Sequence, residues 1–513
     1  TGARVAHFAE IDPRPLKPKD RALIIRPVVP LHHQRRYIVA LHGLKHPDGA
    51  LVAAPDGFRR VRDDEPGADA QLRRLVRYFD GRVFGAIEAN GIARGDLQLA
   101  WDFTTGSFEH ITADLVAMRA DLLGRLHVKA PKIRIDEVRE KPNKRVARSI
   151  RGSIEVPWYL QGEGTEAHLT RDATGMPIAA TVTRVPFVAL VSAKAAQGAG
   201  LQLARVVQFG HGFFASAEEI DGGALRGLLD EMAAVGVATD WTGLTLPDAV
   251  GLSAELHRDP GRAMWLVDRL GQSMMSAITM AHAVGTSLAK QAPLQFQGQP
   301  IYDSDQVFYF GASLGHILGG TYTALSPYVR RASLQVGGVG LGMIMPRAMP
   351  FAPMLAIVDV RTASRLETLK LFSLMQPVLE RIDPVTWTRS TLEPSLAQSP
   401  VRREVLLQVG IDDTDVPNMS AHLQARGLGV ALLSPSPRPL FGLPVKTGPI
   451  EGSALVEYDF GVSPTPVGAR APTLNNPVHD TLRNIPAAIA QIDAFLRPNG
   501  RVVHTCKGVC DPN

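Results

Sequence analysis

The sequence predicts a mainly parallel α/β sheet flanked by helices, preceded by a β-rich segment. Three observations lead there. From about residue 200 onward, short apolar runs alternate with helical segments, the pattern of a parallel sheet covered on both faces. The first 130 residues instead mix strand-like runs with isolated amphipathic helices. A Gly-x-Ser-x-Gly turn, Gly311-Ala312-Ser313-Leu314-Gly315, stands at a strand-to-helix junction in the later region. At 513 residues and 45% hydrophobic content, the chain is long enough for two cores and too apolar to be disordered.

In order along the chain, residues 1–130 read as a β-rich N-terminal accessory domain with a helical insertion. Strands are expected at 36–41 and 97–103. Leu72, Leu75, Val76 and Phe79 are spaced for a helix over 71–90, stopped by Gly91. Ile111, Leu115, Met118 and Leu122 predict another over 110–126. Residues 131–151 are basic and polar, with Lys141-Pro142-Asn143-Lys144-Arg145, and read as a linker. The catalytic domain is expected over 152–513. Strands at 153–160 and 181–191 open it. Further strands are expected at 203–209, 235–239, 306–310, 354–359 and 405–409. Helices are expected at 220–234, 262–290, 364–379, 419–426 and 485–496. The Met- and Pro-rich stretch around Phe351 suggests a lid near 340–385.

Charge narrows the function. Lys+Arg (55) nearly balances Asp+Glu (50), and a net charge of +5 does not support nucleic-acid binding by charge excess. No apolar run reaches the roughly 18–20 residues that span a bilayer; the run 336–346 is short and broken by glycines. Because the chain starts at Thr1, an upstream leader is expected to have been removed. Cys506 and Cys510 are the two cysteines. They cannot alone hold a structural zinc ion, so no metal is expected. A short disulfide between them would suit an exported protein, against the alternative of two free thiols.

The Gly311–Gly315 turn follows the apolar Val307-Phe308-Tyr309-Phe310 and opens a helical segment. That is the context in which a serine is held in a strained turn with its hydroxyl exposed at the sheet edge, as a nucleophile. Gly285-Thr286-Ser287-Leu288-Ala289 is a near match without a preceding strand, so Ser287 reads as structural. A nucleophilic serine needs N–H donors for the developing oxyanion. Gly210-His211-Gly212-Phe213-Phe214, after a predicted strand, supplies the Phe213 amide; Leu314, next to the serine, supplies the second. His211 reads as a structural part of that loop, and His42-Gly43 as a decoy. An acid and a histidine should follow in chain order. After the 405–409 strand comes Gly410-Ile411-Asp412-Asp413-Thr414-Asp415, where Asp413 is preferred over Asp415 and Asp412 as the orienting carboxylate. His479, in the loop Asn475-Asn476-Pro477-Val478-His479, is the expected base, with His504 as competitor. Trp241 and Phe214 are candidates for the substrate pocket, with plain packing the competing reading for a lone Trp.

These motifs, over roughly residues 152–501, resemble the α/β-hydrolase superfamily, specifically bacterial extracellular lipase/esterase-like proteins. Asp413-Thr414-Asp415-Val416-Pro417 matches the Asp-x-x-Val-Pro that often carries the family's acid. Phe213 and Phe214 stand where leucines are commoner, which would tighten the acyl site. The resemblance implies a serine carboxylic-ester hydrolase needing no cofactor, with a Ser313, Asp413, His479 triad. It implies a small-molecule, lipid or polyester ester as substrate, and a secreted, periplasmic or outer-surface bacterial location. A serine peptidase on the same fold, or a non-catalytic surface or binding protein that retains it, are the alternatives. Acyl length, alcohol and oligomeric state are not legible.

Overall fold

The computed structural model describes residues 2–393, 395–399 and 402–512. The chain divides into two compact units, Thr1–His7 with Leu31–Ile111, and Phe8–Pro30 with Thr112–Asn513. In the first unit the strands Arg36–His42 and Leu97–Thr104 pair antiparallel. Phe58, Val61, Val76, Val83, Phe84 and Ile87, from the helical segments between those strands, bury against Leu97 and Ala100. The expected helix over 71–90 begins at Ala70, where the Asp69 carboxylate accepts the Gln71 and Leu72 N–H groups as an N-cap. It then widens into a π turn at Asp80–Phe84 before Gly85–Glu88.

The second unit is built on an eleven-stranded sheet. In chain order its strands are β1 (Ile133–Asn143), β2 (Val146–Trp158), β3 (Thr181–Ser192), β4 (Ala204–Gly210), β5 (Ala234–Thr239), β6 (Tyr302–Ala312), β7 (Val329–Gln335), β8 (Glu404–Gly410), β9 (Ala431–Ser434), β10 (Val445–Thr447) and β11 (Ala454–Tyr458). Their spatial order is β10-β9-β11-β8-β7-β6-β4-β5-β3-β2-β1. From β10 to β5 along that order every pairing is parallel. β3 runs antiparallel to both β5 and β2, and β1 antiparallel to β2. The central strands are buried on both faces, as the apolar runs Val307–Ala312 and Val405–Gly410, the latter interrupted only by Gln408, lead one to expect. Helices α1 (Gly223–Glu231), α2 (Leu246–Arg258), α3 (Leu266–Val284), α4 (Leu314–Leu325), α5 (Ala352–Arg361), α6 (Arg365–Leu379), α7 (Pro384–Leu392), α8 (Asn418–Leu428) and α9 (Pro486–Phe495) lie between and after these strands. This is an α/β-hydrolase-like fold. Among the described residues no single helix is long and apolar enough to cross a membrane. Cys506 and Cys510 form a disulfide, and the Cys510 carbonyl accepts the Asp459 N–H at 2.8 Å.

Two expectations are corrected. Residues 354–359, expected as a strand, belong to helix α5. The apolar run is too short for its period to be read, whereas Pro353 suits a helix's first turn, and Leu355 and Val358, three apart, are its buried residues. Residues 131–151, expected as a basic linker, form the β1–β2 hairpin. Arg148 of β2 pairs with Glu140 of β1 and Arg151 with Glu218, and the charged residues of β1, the outermost strand, blunt an edge that would otherwise invite pairing. The 340–385 segment, expected as a lid, folds as one turn at Leu341–Ile344 followed by α5 and α6.

The sheet's carboxyl edge is shaped by one crossing. β4 and β6 are in register at Gly210 and Gly311, and α4 leaves β6 directly above them. A Cβ on Gly315 would stand 1.9 Å from the Gly210 carbonyl oxygen, and one on Gly311 2.1 Å from the Gly315 oxygen. Both contacts are with backbone, which cannot swing away. Gly315→Ala should therefore destabilise the second unit by about 3 kcal/mol. Denaturant unfolding followed by tryptophan fluorescence would check this; an unshifted midpoint would mean that strand and helix can separate at little cost.

Candidate active site

Ser313 occupies the turn between β6 and α4 with φ +58° and ψ −120°, a conformation that is a genuine outlier for a residue with a side chain. The surroundings over-determine it. The Ser313 N–H donates to the Gln335 carbonyl at the end of β7 (3.0 Å). The buried Tyr309 hydroxyl donates to the Gly315 carbonyl (2.6 Å), and burial raises its pKa well above the usual phenol value, so it stays a donor. Ser313 itself is only partly buried. Leu314 is the first residue of α4, so its N–H has no acceptor within the helix.

The loop after β4 runs beside it. A Cβ on Gly212 would lie 3.9 Å from the Ser313 Cβ. His211 is fully buried and spends both ring nitrogens on backbone: Nδ1 donates to the Gly212 carbonyl (2.8 Å) and Nε2 accepts the Trp241 N–H (2.7 Å). Burial lowers its pKa, so it remains neutral in this structural role. The Phe213 N–H has no hydrogen-bond acceptor among the described residues. Its ring packs against Phe214 (4.1 Å) and Phe351 (4.8 Å). Trp241 lies buried beneath this loop against Gly210, and neither it nor Phe214 lines the apolar cavity next to Ser313.

At the end of β8 the three aspartates separate. Asp413 Oδ2 accepts from His479 Nδ1 at 2.8 Å, while Oδ1 accepts the Asp415 and Val416 N–H groups. Asp412 turns away and caps Thr465 through both its N–H and its hydroxyl. Asp415 is near the pair without bonding to His479. The loops are laced together: Thr414 Oγ1 donates to Asn475, and Asn476 Nδ2 donates to the Asp412 carbonyl. Burial alone would lower the His479 pKa, but the carboxylates of Asp413 and, more weakly, Asp415 outweigh it and hold the imidazole above its usual value. His504 contacts the Cys506 and Pro435 carbonyls and takes no part. Ser313 and His479 stand at the same carboxyl edge, though no hydrogen bond joins them among the described residues.

A link invisible in the sequence ties the two halves. Glu219 Oε2 accepts the Gly212 N–H (2.7 Å), and Oε1 accepts from Arg483 (2.9 Å), one helical turn past His479. Glu219 thus fixes the loop beside Ser313 to the segment that carries the histidine. Neither residue falls in a motif. Only the spacing of four between His479 and Arg483 hints that they share a face.

No protein-family model matches the chain, and no curated protein matches it. Among solved structures, an acetyl xylan esterase from a Paenibacillus species is similar at 11% identity, over 67% of this chain and 89% of that one, with a TM-score of 0.38. Carboxyl esterase 2 from the mycorrhizal fungus Tuber melanosporum is similar at 12% identity, over 70% and 86%, with a TM-score of 0.36. An esterase from Pyrobaculum calidifontis is similar at 12% identity, over 76% and 93%, with a TM-score of 0.30. Likenesses this distant add nothing to what the geometry of the chain itself shows.

The electrostatics can be read directly. In a proton NMR titration the His479 imidazole should titrate above the ordinary value of about 6.5. Asp413→Asn should bring it below that value, because burial then acts without its largest counterweight. Asp415→Asn should lower it by less. A histidine that titrates unchanged in Asp413→Asn would contradict the pairing.

Proposed function

We propose that the chain is a serine carboxylic-ester hydrolase acting through an acyl-enzyme. The observation that carries this reading is the coincidence, at one sheet edge, of a serine in a strained strand-to-helix turn, two unengaged N–H groups beside it, and a buried Asp–His pair. In this mechanism Ser313 Oγ attacks the ester carbonyl and His479 Nε2 takes its proton. Asp413 holds the tautomer in which Nδ1 carries hydrogen, and stabilises the imidazolium that forms. The Phe213 and Leu314 N–H groups receive the oxyanion; they are fixed before the reaction, so little reorganisation opposes it. His479 then protonates the leaving alcohol, and water, activated by the same imidazole, releases the acid. Glu219 is a positioning residue that keeps the Phe213 amide in line with the histidine. The Cys506–Cys510 disulfide supports an oxidising compartment, so we place the enzyme outside the cytoplasm.

A fluorophosphonate probe should label the protein at Ser313, and Ser313→Ala should abolish both labelling and ester hydrolysis; persistent labelling would overturn the nucleophile. Peptide substrates run in parallel test the peptidase reading. Asp413→Asn should lower kcat by roughly 10³–10⁴-fold, far more than Asp415→Asn.

The base works only when neutral, so its raised pKa moves the loss of activity upward in pH. The acid limb of kcat/KM should fall through an apparent value above about 6.5 as pH drops. Glu219→Gln should lower kcat without moving that limb below the ordinary imidazole range, since it disturbs alignment and leaves the Asp–His pair intact.

A further inference from the structure

Beside Ser313 opens a cavity whose lining side chains are all Leu, Ile, Val, Met or Phe. Among the residues lining it are Phe213 and Leu314, whose N–H groups receive the oxyanion in the mechanism above. The walls come from α2, α3, α4, the turn at Leu341–Ile344, α5 and α6. The frame under the roof is tied to the core: the buried Asp383 carboxylate accepts the Gly340 N–H at 2.9 Å and the Leu341 N–H at 2.5 Å.

We propose, resting on the ester-hydrolase reading, that this cavity binds the acyl half of the substrate, and that the acyl group is an unbranched aliphatic chain of about six to ten carbons. Three observations support it. First, Phe213 and Leu314 line the cavity, so a carbonyl held by their amides stands beside it with one arm of the ester directed into it. Second, that arm is the acyl arm. The leaving alcohol must face His479, yet the cavity takes no lining residue from the Asp413 or His479 loops. Third, depth and chemistry set the group. Leu314 and Leu318 of α4 line it together with Phe372, Met375 and Leu379 of α6 and with Ile382. Phe372 and Leu379, both lining the cavity, are seven residues apart on α6, so it runs for roughly 10 Å along that helix. An extended chain advances roughly 1.2 Å per bond, so about eight carbons reach its end. A hydroxylated or charged acyl group would lose its water without gaining a partner. Met264, Met345, Met354 and Met375 among the lining residues adapt to a flexible hydrocarbon.

The test is kcat/KM of the full chain on p-nitrophenyl acetate, octanoate and palmitate. Octanoate should exceed acetate by about tenfold or more, because each buried methylene adds to binding in the transition state, and should also exceed palmitate. Met375→Trp and Val358→Phe fill the cavity from two different helices. Each should cut the octanoate-to-acetate ratio by about tenfold, a readout that a general loss of folded protein leaves unmoved. Equal turnover of acetate and octanoate, a preference for palmitate, or a ratio unchanged in both variants would overturn the acyl assignment and leave the hydrolase reading standing. Absence of turnover on all three esters, with no fluorophosphonate labelling, would overturn the hydrolase reading itself.

Discussion

The close crossing of β4, β6 and the start of α4 is the constraint on which the site depends. Gly311 and Gly315 bring backbone against backbone, and Gly210 lies against the Tyr309 and Trp241 side chains, so that no side-chain carbon fits at any of the three. Only because the helix can leave the strand this sharply is Ser313 driven to a positive φ. The strain is then held by surroundings that have no alternative: a β7 carbonyl accepts the Ser313 N–H, and Tyr309 grips Gly315 from below. A local conformational cost is thereby offset by the packing of a central sheet and its most deeply buried helix.

The acid and base are set by a different kind of force. Asp413 spends one oxygen on backbone N–H groups and the other on His479, so its carboxylate is oriented before any substrate arrives. Burial and charge oppose each other at the imidazole, and charge prevails. The Glu219 bridge to Arg483 and Gly212 extends this order across the cleft. The half-buried side chain of one residue thus fixes two loops that begin at different strands.

The helical region over residues 340–382 links the site to its surroundings. It packs an apolar face toward Phe213 and Leu314 and leaves Val360 and Leu374 exposed on the outside. Its interior is specified by side-chain character alone. Its position is specified by hydrogen bonds such as those from Gly340 and Leu341 to Asp383.

Much of this was legible in the chain itself. The alternation of short apolar runs with helical spacing determined a parallel sheet, because strands buried on both faces must be apolar throughout. Gly311–Gly315 marked its own turn, since glycines on either side of a serine between strand and helix serve few other purposes. The order of acid loop and histidine loop followed the same logic. Other features were decided only in three dimensions. Residues 354–359 are apolar enough for either a strand or a helix over so short a run, and only their burial through Leu355 and Val358 shows which. Residues 131–151 read as a linker because the stretch is basic and polar; that Arg148 meets Glu140 on the neighbouring strand and Arg151 meets Glu218 is set by the pairing of the strands. Asp412, Asp413 and Asp415 are chemically alike and adjacent; only the fold points one of them at His479. Glu219 and the cavity walls belong to this second class as well. They join segments far apart along the chain, Glu219 with Arg483 and Phe213 with Ile382, and sequence encodes such contacts through the whole packed core rather than through any segment of it.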